Sequence, residues 1–197
     1  MDGVVGPQTA QALFGAQAPA PAAAVAPGAG AGSPVVVWFE EAKRLVGVEE
    51  DLGAGSNVEI LDWARGLHIP YSGDDVPWCG LFVAHCIGST LPGEPLPKHP
   101  LGARQWEHFG EETTPRLGAV MVFWRDTLAS GLGHVGFYNG ERDDAYQILG
   151  GNQGDKVSLV WVGKNRFRSA RWPVTAASIS TGAVERASDG SLSTKEA

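Results

Sequence analysis

Cys79, in the run Val76-Pro77-Trp78-Cys79-Gly80-Leu81-Phe82-Val83, has the strongest setting for a nucleophile in this chain. A thiolate is the attacking form of cysteine. At the start of an α-helix it faces unpaired N–H groups and the positive end of the helix dipole, both of which lower its pKa. Residues 79–88 (CGLFVAHCIG) are almost continuously apolar and Pro-free, which predicts a buried helix opening at that cysteine. Gly80 is expected to leave room for a substrate carbonyl, with the N–H groups of the helix start as oxyanion donors. Trp78 and Tyr71 are expected to wall the cleft.

The matching base is His134 in Gly131-Leu132-Gly133-His134-Val135-Gly136, at the start of an expected strand whose glycines admit a second chain closely. An imidazole with a pKa near ~6.5 can take a thiol proton and hand it to a leaving amine. The third candidate is Asn152 in Leu149-Gly150-Gly151-Asn152-Gln153. If 134–141 and 145–152 pair as a hairpin around the loop Arg142-Asp143-Asp144, Asn152 lies directly across from His134, where its side-chain oxygen could accept the imidazole N–H. Asn139 falls on the opposite face. Cys86 lies two turns into the helix, about 10.5 Å from Cys79 by helical rise, beyond the ~4.4–6.8 Å a disulfide tolerates. It is expected to pack.

Positioning these groups requires helices first and strands second. Ser33-Pro34 predicts a helix start, with Val37, Phe39, Ala42, Leu45 and Val46 facing the core. Ser56-x-x-Glu59 reads as a capping box opening a second helix that stops near Gly66. The Cys79 helix and a short one around 101–109 follow. Beyond Pro115, the runs 119–124, 134–140, 145–151, 157–162 and 167–172 are β-prone and separated by Gly, Asn and Asp turns. The expectation is an α+β fold with N-terminal helices packed on a C-terminal antiparallel sheet.

Composition divides the chain further. Residues 16–34 hold nine Ala, four Pro and three Gly without a charge, as expected of an extended linker. Residues 35–173 contain all seven Trp, all three Tyr and six of the seven Phe, so they form the folded domain. Residues 174–197 are Ser/Thr/Ala-rich and non-aromatic, and are expected to be a flexible tail. In the first fifteen residues, the pattern D-G-x-x-G-P-x-T-x-x-A-L resembles the last helix-turn of the small peptidoglycan-binding domain of cell-wall enzymes.

The motifs P-W-C-G-L-F-V, P-R-L-G-A-V-M-V-F-W, G-H-V-G-F-Y and L-G-G-N-Q, spread over 35–173, resemble the papain-like NlpC and CHAP cysteine peptidases of bacterial and phage cell-wall metabolism. The resemblance implies a papain-like fold, with Cys79 as nucleophile, His134 as base then acid, and Asn152 as orienter. It also implies peptidoglycan stem peptide as substrate. NlpC enzymes usually carry Asp-Cys-Ser-Gly where this chain has Trp78-Cys79-Gly80-Leu81, so their bond preference does not transfer. An endopeptidase is the first expectation. The alternatives are an N-acetylmuramoyl-L-alanine amidase using the same residues, and a noncatalytic wall-binding or virion module; a cytoplasmic amide hydrolase or transacylase ranks below both.

Composition narrows the partners. The net charge is −7, with no Lys/Arg run interleaved with aromatics, which argues against a nucleic-acid groove. No apolar run reaches the ~18 residues of a membrane span, and the start MDGVVGPQTA lacks the basic and apolar regions of a signal peptide. Action at the cell wall or in the periplasm is then expected to follow release by a phage holin or delivery on a tail particle. Two cysteines and five scattered histidines show no metal-ligand spacing, and no cofactor is expected.

Overall fold

Three helices and a six-stranded antiparallel sheet make up the fold in a computed structural model that describes residues 35–53, 55–177, 182–187 and 190–195. The expected remnant 1–15 and linker 16–34 lie outside the described residues. The compact unit that carries the helices and the sheet begins at Pro34.

Helix α1 (Val37–Arg44) turns Trp38, Phe39 and Ala42 inward, with Val36 and Leu45 buried beside its ends. Two residues expected in this stripe face out: Val37 is 42% and Val46 50% exposed. The helix begins later than Ser33-Pro34 suggests, with Val36 as its N-cap, and its inward face is centred on Trp38, Phe39 and Ala42. The Trp38 indole N–H then reaches the Gly118 carbonyl at 2.8 Å. Helix α2 (Val58–Gly66) is capped by Asn57, whose side chain accepts from Glu59 N–H, and Ser56 instead accepts from the Asp74 N–H. It buries Ile60, Trp63 and Ala64. Helix α3 (Cys79–Thr90) has buried residues on all sides from Cys79 to Ile87, except His85, because it lies between the other helices and the sheet.

After a 3-10 turn at Ala103–His108, the strands are β1 (Glu111–Glu112), β2 (Val120–Trp124), β3 (Gly133–Glu141), β4 (Ala145–Gly150), β5 (Ser158–Gly163) and β6 (Phe167–Trp172). Their spatial order is β1-β6-β2-β3-β4-β5. The meander β2 to β5 matches the sequence expectation, and β6 returns to the free edge of β2. The fold is α+β.

The β3–β4 pairing is regular only in part. Phe137 faces Leu149 and Tyr138 faces Ile148, the register that would bring Asn152 to His134, but a bulge at Asn139 moves the pairing to Gly140 with Gln147. Strand β4 then ends at Gly150, before Asn152.

The segment after β6, expected to be a flexible tail, bonds to the domain over its described stretches. Glu141 N–H donates to the Val184 carbonyl, Ser193 N–H to the Trp161 carbonyl and Gly154 N–H to the Lys195 carbonyl. Buried Glu94 begins this docking by accepting from the Val174 and Thr175 N–H groups and the Thr175 hydroxyl. On the side of these last residues the groups are mainly backbone N–H and C=O, which is why composition alone concealed the docking. Among the described residues, no helix is long and apolar enough to cross a membrane.

Removing the Glu94 acceptor leaves two N–H groups and a hydroxyl without their partner. Glu94→Ala is expected to cost about 1–3 kcal/mol in a urea titration. Hydrogen exchange at Val174 and Thr175 should accelerate more than exchange in β2. Unchanged exchange at those two amides would contradict the clasp.

Candidate active site

Trp78, the residue before the nucleophile candidate, anchors the start of α3. Its ring is fully buried, with Trp63 6.0 Å away between centroids, and its indole N–H donates to Glu50 Oε1 at 2.8 Å. Oriented to satisfy both groups, the Asn152 amide oxygen accepts from the Trp78 backbone N–H at 3.2 Å and shares the indole N–H at 3.1 Å. Gly151 lets the strand-end loop approach, since a Cβ there would lie 2.7 Å from the Trp78 ring and 2.6 Å from Phe82 Cβ. Trp78 therefore belongs to the core and not to a cleft wall.

Cys79 follows at the first turn of α3 and is 2% exposed. Burial pushes its thiol above the ordinary value, and backbone bonds from Val135 and Gly80 together with the charge of Arg125 offset part of that rise. The expectation of a depressed thiol pKa at the helix start is thus corrected: desolvation outweighs the helix terminus. Cys86 is pushed up further, with no backbone donor from the sheet. Both thiols are free.

Gly80 also has a different reason from the one expected. A Cβ on it would lie 2.2 Å from the Pro100 carbonyl oxygen and 2.7 Å from that of Leu101, so its bare Cα accommodates the neighbouring loop and not a substrate. Tyr71 donates its hydroxyl to the Val76 carbonyl at 2.8 Å, which braces the turn before Pro77. Asp74, in the same turn, is buried; against the upward push of burial, the N–H groups of Asn57 and Asp51 hold its carboxyl below the usual value. It is a loop anchor.

His134 lies on β3 opposite Phe123 of β2 and is fully buried. Its Nε2 lies 2.9 Å from Gln153 Oε1. Gln153 is buried too, and its Nε2 donates to the Ser158 carbonyl, which turns the amide oxygen toward the imidazole. That geometry makes His134 Nε2 the protonated ring nitrogen and leaves Nδ1 with the lone pair. Gly150 creates the space: a Cβ on it would meet Gln153 Oε1 at 2.8 Å and His134 Nε2 at 3.1 Å.

The residue across from His134 is therefore Gln153, and the placement of Asn152 there is corrected. Strand alternation holds only for extended backbone, and Asn152 has φ 53°, in the left-handed region that Asn tolerates. This turn sends Asn152 to Trp78 and carries Gln153 to the histidine. The Gly150-Gly151-Asn152 run is the signal that the strand stops early.

The cleft beside Cys79 has a volume of about 240 Å³ and runs between Leu101–Gln105 on one side and Arg125 with Gly131–Gly133 on the other. Neither Trp78, Gly80 nor Tyr71 lines it. Arg104 and Arg125, which sequence reading passed over, do. Among the described residues, no group of three or more His, Cys, Asp or Glu could hold a metal ion. No protein-family model, curated protein or solved structure matches this chain.

Because the Cys79 thiol is raised but lines a cleft, whereas Cys86 is enclosed, iodoacetamide should label Cys79 faster than Cys86 at every pH. A raised pKa means that thiolate accumulates only as pH rises, so the Cys79 rate should still be climbing between about pH 7 and about pH 9. A Cys79 rate already on a plateau at neutral pH would show a preformed thiolate and contradict the burial argument.

Proposed function

We propose that this chain is a cysteine-dependent amide hydrolase of papain-like arrangement acting on the peptide portion of peptidoglycan, with Cys79 as nucleophile and His134 as base and acid. The observation that carries the reading is the buried His134–Gln153 hydrogen bond, which presents an imidazole of defined tautomer one residue from the backbone donor to the Cys79 thiol. Gln153 acts through the histidine and is a positioning residue. The peptidoglycan assignment rests on the sequence resemblance of 35–173 to NlpC and CHAP peptidases and of 1–15 to a wall-binding domain. It implies action at the cell wall after holin release or particle delivery.

The steps follow from the chemistry of the groups. The thiol is neutral at rest, so its proton passes to His134 Nδ1 as sulfur attacks the amide carbonyl. A C–S bond forms, and the carbonyl π electrons move to oxygen. The N–H groups of the first turn of α3 are the natural oxyanion donors, since the first backbone bond within that turn is from Phe82 N–H to the Trp78 carbonyl. Collapse of the intermediate breaks the C–N bond, and imidazolium protonates the departing amine. Water, deprotonated by the same nitrogen, then cleaves the thioester, restoring the thiol.

Purified sacculi digested with the wild type should release muropeptides whose new termini, read by mass spectrometry, lie at one amide of the stem peptide. Cys79→Ser should abolish release. New termini at the lactyl-alanine amide would make the enzyme an N-acetylmuramoyl-L-alanine amidase. Equal release by Cys79→Ser would contradict the nucleophile, and no release by folded wild type would favour a noncatalytic module.

Two neighbouring substitutions should separate. Gln153→Ala is expected to lower kcat by about 10–100-fold with little change in KM, by analogy with loss of a tautomer-fixing partner. Gln153→Glu keeps an acceptor, and its carboxylate favours imidazolium, so the acidic limb of the kcat/KM profile should move to higher pH. Asn152→Ala instead removes an acceptor from Trp78 and should cost about 1–3 kcal/mol of stability. The reverse pattern, with Asn152 controlling the pH profile, would restore Asn152 as orienter.

A further inference from the structure

We propose that Arg104 and Arg125 form a carboxylate-binding subsite in the Cys79 cleft, so that preferred substrates carry a free carboxylate beside the scissile amide. The inference deepens the amide-hydrolase reading and rests on it.

In a chain of net charge −7, this cleft is lined by two arginines and, among the described residues, by no Asp or Glu. Arg125 lines the same cleft as Cys79, and its charge is among the influences that lower the Cys79 pKa. Arg104 lines the cleft from the Leu101–Gln105 segment. Its Nε donates to Glu107, but Glu107 also receives Arg168 at 3.2 Å, so one carboxylate is shared between two guanidiniums.

Arg104 Nη1 is buried with no hydrogen-bond partner among the described residues. A buried guanidinium N–H without an acceptor is unfavourable, and its planar fork suits the two oxygens of a carboxylate. Gly133 supports this placement. A Cβ at Gly133 would lie 2.8 Å from Arg104 Cδ, so the absence of a side chain there allows the arginine stem to cross β3 at the cleft edge. The site is narrow and adjoins a candidate acyl acceptor, which favours a carboxylate on the substrate peptide over a bulkier anion.

The direct probe is a pair of alkylating reagents of similar size that differ in charge, iodoacetate and iodoacetamide. Each forms a C–S bond at Cys79 with loss of iodide, and neither needs turnover. The full chain is labelled with each, the Cys79-containing peptide is quantified by mass spectrometry, and the iodoacetate-to-iodoacetamide rate ratio is compared with that of free cysteine. The expected ratio is at least about tenfold above the free-cysteine value, the scale of one charge-assisted hydrogen bond. Arg104→Ala should return it toward that value, and Arg104→Lys should keep part of the preference.

A wild-type ratio equal to that of free cysteine would overturn the subsite without reliance on any variant. So would a high ratio unchanged by both Arg104→Ala and Arg125→Ala. In parallel, muropeptides whose stem carboxylates are free should be cleaved with lower KM than the same muropeptides amidated. A high labelling ratio with no muropeptide cleaved would retain the subsite and reject the hydrolase reading. Cleavage indifferent to amidation, with the labelling ratio at the free-cysteine value, would do the opposite.

Discussion

Burial of Trp78 is the constraint on which the site depends. A fully buried indole must satisfy its N–H, and a helix start must satisfy its backbone donors, so two loops converge on one residue. Glu50 and Asn152 supply the acceptors, and Gly151 supplies the space. The consequence reaches one residue further along each chain. Cys79 follows Trp78, and Gln153 follows Asn152. Trp78 and Asn152 are bonded to each other, the Val135 N–H on β3 reaches the Cys79 thiol, and Gln153 bonds to His134 on the same strand. The alignment comes from packing in the layer beneath the site.

The same burial decides the electrostatics. A cysteine at a helix start that stood in water would ionise readily, but this one is only 2% exposed at the edge of its cleft, and desolvation raises it. Under the proposed mechanism, proton transfer to His134 would then accompany attack and not precede it. An enclosed histidine needs its N–H satisfied as well, and Gln153, held by the Ser158 carbonyl, satisfies it with a neutral acceptor. Glu50 behaves similarly: burial raises its carboxyl even though the Trp78 indole N–H pulls it back down.

Much of the framework was legible in the residues. The apolar run after Cys79 is the central helix, and five β-prone runs coincide with β2 to β6, because period and turn chemistry are local properties. The site was legible only in part. Cys79 and His134 stand out by type and setting, but the partner of His134 turned on one left-handed residue, Asn152, after which alternation no longer applies. Gly80 and Trp78 look like substrate contacts when read along the chain. In space, Pro100 and Leu101 occupy the room beside Gly80, and the core encloses Trp78. Arg104 and Arg125 carry no motif, since their role arises from walls brought together across the fold. The docking of the residues after β6 runs mainly through their own backbone groups, met by Glu94 and by the sheet, which the composition of that segment does not encode.

The central claim is that Gln153 holds His134 as a base by claiming its Nε2–H. The most direct measurement is the 15N and 1H spectrum of the His134 ring in selectively labelled protein. The expected result is a neutral imidazole with the proton on Nε2, slow to exchange with solvent, and loss of that slow exchange in Gln153→Ala. A ring protonated on Nδ1, or one whose Nε2–H is indifferent to Gln153, would contradict it.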